Sequence, residues 1–174
     1  MTVALVYETH STSEDNEAGR ATGRLDGRLS EVGRRQAAEL GERRRNDGIG
    51  AIYVSDLGRA VETARIAFGA GFVLEPRLRE CDYGELNGMP VARFEAERPR
   101  RIDEPYPGGE SHRDVVERVA SLLDDLRREH DGQRVLLVSH AAPRWALDHL
   151  LHGTPLEELV HRPFEWRPGW EYVA

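Results

Sequence analysis

Two apolar runs of the sequence each end on a histidine. The first covers residues 3–9 and leads to His10, and the second covers residues 134–139 and leads to His140. Both are short and rich in the residue types of pleated sheets, and the second is continuous, as expected for a strand covered on both faces. In open α/β sheets, ligands bind beyond the carboxyl ends of the strands. We therefore expect the two histidines to meet at one sheet edge, where they can face a ligand.

The segments between these runs predict an α/β protein. Helical periodicity is clearest after Ser111, an expected N-cap, in the stripe Val115, Val116, Val119, Leu122, Leu123 and Leu126. Similar patterns predict helices over 30–46, 57–68, 90–98 and 143–151, a last short helix near residue 155, and strands at 51–54 and 72–74. Residues 11–28 lack a period and predict a surface loop, and residues 164–173 predict two short strands around a turn.

This alternation of strands and helices indicates one domain over residues 1–174 with helices on both faces of the sheet. The fold class expected from it is a three-layer α/β/α sandwich whose central sheet is mostly parallel.

Composition excludes several classes of function. The net charge of −7 argues against general nucleic-acid binding, which needs a basic face. The sequence contains no apolar segment near the roughly 20 residues that cross a bilayer, so we expect no membrane partner. One cysteine, Cys81, and an N-terminus unlike a signal peptide favour a cytoplasmic protein. All 24 basic residues are arginine, so an anion site must use arginine, histidine or backbone N–H groups.

An arginine follows the second predicted strand. Arg59 falls in the first turn of the helix after 51–54, and helix N-termini attract anions through free N–H groups and the helix dipole. Two imidazoles, one guanidinium and a helix start at one sheet edge predict an oxyanion site, and phosphate is the oxyanion that we expect there.

At this point the sequence resembles the histidine phosphatase superfamily, the phosphoglycerate-mutase-like family, over about residues 3–155. The family pattern Arg-His-Gly-[Glu/Gln]-Thr, with an Asn six residues after the His, is met by Thr9-His10-Ser11-Thr12 and Asn16. The remaining matching blocks are Gly19-Arg20 with Gly23, Asp26 and Leu29-Ser30, followed in step by Gly33 and Gln36-Ala37; Ser55–Ala64; Leu78-Arg79-Glu80 with Gly84 and Gly88; Pro107–Ser111; and Val138-Ser139-His140.

The resemblance implies a phosphoglycerate mutase-like fold and a role for each matched residue. His10 resembles the nucleophile, which would form a phosphohistidine that water then hydrolyses. Arg59 and His140 resemble the groups that hold the phosphoryl oxygens, and Asn16 a neutral donor to them. Glu80 resembles the general acid, which needs a raised pKa. The resemblance implies no metal and no other cofactor.

The sequence departs from the family pattern in the expected phosphate pocket. Thr9 replaces the arginine before the nucleophile, and loss of one such donor typically costs about 10²–10³ in rate. We consider two replacements: Arg144, one helical turn after His140, and Arg20 in the first loop. Ala141, which stands where the family has glycine, completes the expected substrate-binding positions.

Two classes of function remain open. The first is a metal-independent phosphomonoesterase that acts on a small phosphorylated metabolite. The second is a phosphatase-like domain that binds a phosphorylated ligand in a regulatory role, because Thr9 has replaced the arginine. A phosphoglycerate mutase is less favoured, since those enzymes resemble this chain but carry long insertions. The apolar tail could form an internal sheet edge or a homodimer contact.

Several residues outside the matched positions can be explained by solvent exposure or packing, without a role at the site. The run Arg98, Arg100 and Arg101 is either a solvated face or a determinant of substrate charge. His112 is expected to be solvated, and Trp166 to pack in the tail.

Overall fold

The computed structural model describes residues 1–174. Its strands are β1 (Ala4–Thr9), β2 (Arg20–Ala21), β3 (Ala51–Val54), β4 (Val73–Leu74), β5 (Met89–Pro90), β6 (Arg134–Ser139) and β7 (Trp170–Val173). Its α-helices are α1 (Glu14–Glu17), α2 (Glu31–Arg44), α3 (Gly58–Phe68), α4 (Val91–Glu97), α5 (His112–Glu129), α6 (Ala141–His152) and α7 (Leu156–Leu159). Three 3₁₀ turns cover Pro76–Leu78, Gly84–Leu86 and Arg98–Arg100.

The central sheet has the strand order β4-β3-β6-β1-β7. Strands β4, β3, β6 and β1 are parallel, and β7 pairs antiparallel with β1 at one edge. Strands β1 and β6 are neighbours, with Thr9 opposite Ser139. Because the next residue of each strand is a histidine, His10 and His140 leave the sheet side by side.

Helices cover both faces of this sheet. Leu5 and Tyr7 of β1 belong to a core cluster that includes the apolar stripe of α5 and the buried residues of α6. Val6, on the opposite face of the same strand, packs in a second cluster with Ala60 and Ala64 of α3. The α/β class with a mostly parallel central sheet is therefore confirmed.

The first loop contains more regular structure than its sequence predicts. Ser13 caps the one-turn helix α1 in a capping box with Asn16, and β2 pairs antiparallel with β5. Such short elements lack a hydrophobic period, because local side-chain hydrogen bonds form them.

Two helix starts also differ from the prediction. The pair Ser55-Asp56 predicts a capped helix from Leu57, but helix α3 begins at Gly58 without a side-chain cap. The Asp56 carboxylate instead accepts from Arg79 at 2.7 and 2.5 Å. Helix α6 begins at Ala141, so Pro143 lies inside its first turn rather than at its start.

The tail forms one strand instead of two. Only β7 is regular, and Pro168, which lacks an N–H, precedes the turn that leads into it. The tail is tied down by Arg44, which donates to the Pro168 carbonyl at 3.2 Å and to the buried Glu8 carboxylate at 2.7 Å. None of the helices combines the length and apolar character that a membrane span requires.

Candidate active site

His10 begins the loop after β1, and its ring is held by two hydrogen bonds. Nδ1 lies 2.7 Å from the Ser11 carbonyl, and Nε2 lies 3.3 Å from Nε of Arg59, which donates to it. A carbonyl only accepts and a guanidinium only donates, so the hydrogen is on Nδ1 and the lone pair is on Nε2. Burial and the nearby charge of Arg59 lower the pKa of His10 to about 3. The ring is therefore neutral at ordinary pH, with its lone pair on Nε2.

His140 lies beside it, with the two ring centroids 5.1 Å apart. Nε2 of His140 hydrogen-bonds the Ser55 hydroxyl at 2.8 Å, while Nδ1 is buried without a protein partner. The backbone around His140 is fixed because the Tyr7 hydroxyl donates to its carbonyl and accepts from its N–H. Burial, followed by the charge of Arg59, holds the pKa of His140 well below its usual range.

Arg59 supplies the positive charge of the site. It is 2% exposed and donates to the carbonyls of Gly23 at 2.8 Å and Leu25 at 3.2 Å. It forms no ion pair with a protein carboxylate. A buried guanidinium without a carboxylate partner is costly unless an anion joins it, so this charge favours a bound oxyanion.

Glu80 follows the 3₁₀ turn Pro76–Leu78 in the chain, and its carboxylate lies against the first N–H groups of α6. Its carboxylate accepts from the N–H groups of Cys81 at 2.8 Å, Ala142 at 3.1 Å and Ala141 at 3.2 Å. Burial raises the pKa of Glu80, while these N–H groups and Arg59 oppose the rise. A raised pKa suits a general acid. Ala141, expected among the substrate-binding residues, thus gives its N–H to Glu80.

These groups line one cavity of about 470 Å³. Seven of the eight residues expected at the site lie on its wall: His10, Asn16, Arg20, Arg59, Glu80, His140 and Ala141. Asn16 uses its Oδ1 in the cap of α1, where it accepts from Ser13. Arg20 is exposed and donates to the Gly88 carbonyl at 3.2 Å. Thr9, in place of the family arginine, also lines the cavity.

Arg144 is the exception and requires a correction. Its guanidinium is paired with Asp148 at 2.7 Å and lies 5.0 Å from the centroid of the Trp170 ring. It lines a second cavity, formed with the tail rather than with His10. The i, i+4 carboxylate and the indole ring together hold the side chain away from the sheet edge.

The cavity wall also includes residues that the sequence analysis did not assign to the site. Gln36 of α2 lines it, and its Oε1 accepts from the Thr12 N–H at 3.0 Å and hydroxyl at 2.8 Å. The sequence signal is the glycine three residues earlier, Gly33. In the structure, a Cβ at this position would lie 1.9 Å from the Thr12 carbonyl oxygen. That close approach of α2 to the loop needs glycine and brings Gln36 to the site.

The remaining wall is apolar and basic. Val91 and Phe94 of α4 line it together with Arg98 and the tail residues Phe164 and Trp166. Trp166 thus faces the cavity and is 55% exposed, contrary to the expectation of tail packing. No group of three or more His, Cys, Asp or Glu side chains is arranged to hold a metal ion.

The fold and site define an α/β protein with paired histidines and a guanidinium at the edge of a mostly parallel sheet. A family model described as the histidine phosphatase superfamily (branch 1) matches residues 9–166. The chain therefore belongs to the histidine phosphatase superfamily.

Curated relatives within the superfamily carry two kinds of name. The chain is 35% identical over 167 residues to "Phosphoserine phosphatase 1" of Hydrogenobacter thermophilus, covering 90% of this chain and 79% of that protein. It is 38% identical over 157 residues to "Probable phosphoglycerate mutase GpmB" of Enterobacter sp., covering 84% and 73%.

Solved structures agree in fold. Bacillus stearothermophilus YhfR matches with a TM-score of 0.83 at 27% identity, covering 98% of this chain and 90% of that one. A mycobacterial glucosyl-3-phosphoglycerate phosphatase matches with a TM-score of 0.78 at 28% identity, covering 92% and 84%.

Proposed function

We propose that the protein is a phosphomonoesterase that hydrolyses a small phosphorylated metabolite through a phosphohistidine on His10. The observation that carries this proposal is the hydrogen bond from Arg59 to Nε2 of His10, which fixes a neutral nucleophile beside a buried positive charge. Relatives named as phosphatases support the same reaction class.

The first half of the reaction forms the covalent intermediate. As the phosphoryl group enters, Arg59 gives its Nε–H to a phosphoryl oxygen instead of Nε2 of His10. The freed Nε2 lone pair attacks phosphorus, and the bond from phosphorus to the ester oxygen breaks. Arg59 and His140 stabilise the phosphoryl oxygens, while protonated Glu80 gives its proton to the departing oxygen. The hydrogen on Nδ1 stays bonded to the Ser11 carbonyl, which accommodates the charge that develops on the ring.

The second half returns the enzyme to its starting state. The Glu80 carboxylate takes a proton from water, and the water oxygen attacks phosphorus. The phosphorus–nitrogen bond breaks, so phosphate leaves and the lone pair returns to His10. Glu80 thus acts first as acid and then as base, and ends protonated.

Hydrolysis of an activated aryl phosphate by the wild type and by His10→Ala, with chelator present, tests this proposal. We expect wild-type turnover that survives chelation and falls at least about 10³-fold in His10→Ala, the order expected when a covalent nucleophile is lost. His161→Ala is the matched control, because His161 is exposed and does not line the cavity. Wild type quenched in alkaline denaturant should carry a phosphate on His10 that is stable in base and is lost on acid treatment.

A regulatory binding domain is the competing proposal, and Thr9 at the family's arginine position favours it. It predicts no turnover in either protein, together with a rise in melting temperature when vanadate is added. The mutase name of one relative suggests a third outcome, in which phosphate moves between positions of a phosphoglycerate without net release. A cytoplasmic location and a homodimer stay predictions; the buried free thiol of Cys81 agrees with the first.

A further inference from the structure

Arg98 is one of only two buried arginines in the protein, and the other is Arg59. Both line the same cavity. Most other arginines form ion pairs with carboxylates on the surface, but no carboxylate lies within 4 Å of either buried guanidinium. In the proposed reaction the phosphoryl group neutralises the buried charge of Arg59. No group in that reaction neutralises the buried charge of Arg98.

Aromatic rings hold the Arg98 guanidinium in position. It lies 5.3 Å from the centroid of the Phe94 ring and 5.1 Å from that of Trp145, and Trp145 is backed by the buried ring of His112. Nη2 donates to the Arg162 carbonyl at 3.2 Å, and Nε has no partner. Nη1 donates to no protein atom. The charge is thus oriented by stacking, without a neutralising group from the protein.

The surroundings of Arg98 differ from those of His10. Val91, Phe94, Phe164 and Trp166 give this part of the cavity an apolar wall, and Arg20 adds an exposed positive charge. The one carboxylate on this wall is Glu95, which is exposed and forms no ion pair with Arg98. An anion entering here would gain charge-assisted hydrogen bonds from Arg98.

We infer that the substrate carries a second anionic group, which binds Arg98 while the phosphate ester binds beside His10. The substrate class is thus a small phosphate monoester with a carboxylate or a second phosphate at its other end. This inference rests on the proposed function for its phosphate half, and Arg98 is a specificity residue rather than a participant in bond breaking.

The test compares two phosphate esters that differ only in the distant group. 3-Phosphoglycerate has a carboxylate where glycerol 3-phosphate has a hydroxymethyl group. We expect the wild type to prefer the carboxylate ester in kcat/KM by about ten- to one-hundred-fold, the size of one charge-assisted hydrogen bond. A comparison of propane-1,3-diyl bisphosphate with propyl phosphate tests a second phosphate as the distant anion. A higher kcat/KM for the charged member of either pair supports the inference.

Substitution of Arg98 then identifies the residue responsible. Arg98→Met keeps the apolar stem between the rings, and we expect the preference to fall to near one. Arg98→Lys keeps the charge and should retain part of the preference, so a positive result does not depend on whether Arg98→Met folds well. Arg100→Met, on the same 3₁₀ turn but exposed and outside the cavity, should keep the full preference.

Calorimetric binding to His10→Ala separates this inference from the proposed reaction. If neither ester is hydrolysed but the charged member of a pair binds at least ten-fold tighter through Arg98, the reaction is wrong and the second anion site stands. If both esters are hydrolysed with ratios near one in the wild type, or if the preference survives in Arg98→Met, the inference is overturned.

Discussion

Nε of Arg59 donates to Nε2 of His10 at 3.3 Å. The contact places the positive charge of Arg59 beside the nitrogen that attacks phosphorus in the proposed reaction, so a phosphoryl group bound there would lie against both side chains. It also sets the protonation state, since a protonated imidazole could not accept from a guanidinium. Burial, followed by the charge of Arg59, lowers the pKa of His10 to about 3. In the proposed reaction His10 therefore needs no separate base, because its imidazole is already neutral.

Thr9→Arg should strengthen phosphate binding and raise the rate. Thr9 lines the cavity in the position where the family has arginine, and one such donor is typically worth about 10²–10³ in rate. We expect kcat/KM for an aryl phosphate to rise at least about ten-fold.

Thr9→Met is the control for this gain, because it adds similar length without charge. An equal gain in Thr9→Met would show that the charge of the new arginine is not the cause. No gain in Thr9→Arg with the fold intact would show that the site does not lack a donor at this position.

Glu80→Gln should slow hydrolysis according to the leaving group. Protonation of the departing oxygen contributes typically about 10²–10⁴-fold, but an activated aryl leaving group needs little of it. We expect a large loss of kcat with alkyl phosphates and a small loss with p-nitrophenyl phosphate. A uniform loss with both substrates would assign Glu80 to holding the start of α6, where its carboxylate accepts three N–H groups.

Wild-type activity should also decline as pH rises through the pKa of Glu80. Only the protonated acid can donate to the leaving group, and burial raises this pKa, so the active form extends above the usual range of a glutamic acid. A pH profile of kcat with an alkyl phosphate measures this limb, which should be absent in Glu80→Gln.

Arg20 and Arg144 should give opposite results when replaced by methionine. Arg20 lines the cavity, so Arg20→Met should weaken phosphate binding, seen as an increased KM and a smaller vanadate-induced rise in melting temperature. Arg144→Met should leave the kinetic constants within two-fold and cost about 1 kcal/mol of stability, because it breaks the pair with Asp148 and the contact with Trp170. A kinetic defect in Arg144→Met would contradict the assignment of Arg144 to the second cavity.

The sequence predicts the sheet edge well because the apolar run that marks a strand, and the residue on which it ends, are local features. Two adjacent parallel strands bring the residues after their last positions together, so His10 and His140 meet whatever the loops do. Arg59 follows from the helix start after β3. Motif spacing places Glu80 in the same cavity, although no local pattern predicts that it would accept from the start of α6.

Side-chain direction and long loops are harder to predict. Arg144 is one helical turn from His140, yet Asp148 and Trp170 compete for its guanidinium and win. His112 follows an N-cap and was expected in solvent, but its ring is 3% exposed between Tyr106 and Trp145. Both side chains contact tryptophans that are distant in sequence, Trp170 for Arg144 and Trp145 for His112. The periodicity of apolar residues along a helix carries no information about such contacts.

The stability of the protein should rise steeply with pH between about pH 5 and pH 6.5. His10, His112 and His140 are neutral in the fold, with pKa values of about 3, about 4 and well below normal, respectively. In the unfolded chain, histidines bind protons below about pH 6.5. The unfolded state therefore binds more protons, and each histidine adds up to about 1.4 kcal/mol per pH unit to the slope. This stability is present above pH 6.5 and is lost as pH falls.

Glu80 acts in the opposite direction. Because the pKa of Glu80 is raised in the fold, this carboxyl stays protonated at pH values where the unfolded chain has already lost the proton. Glu80 therefore reduces the rise of the unfolding free energy with pH. His112→Phe should therefore make the slope shallower by up to about 1.4 kcal/mol per pH unit, and Glu80→Gln should make it steeper. Urea unfolding at several pH values measures both. Equal slopes in the three proteins would mean that these buried groups titrate alike in the folded and unfolded states.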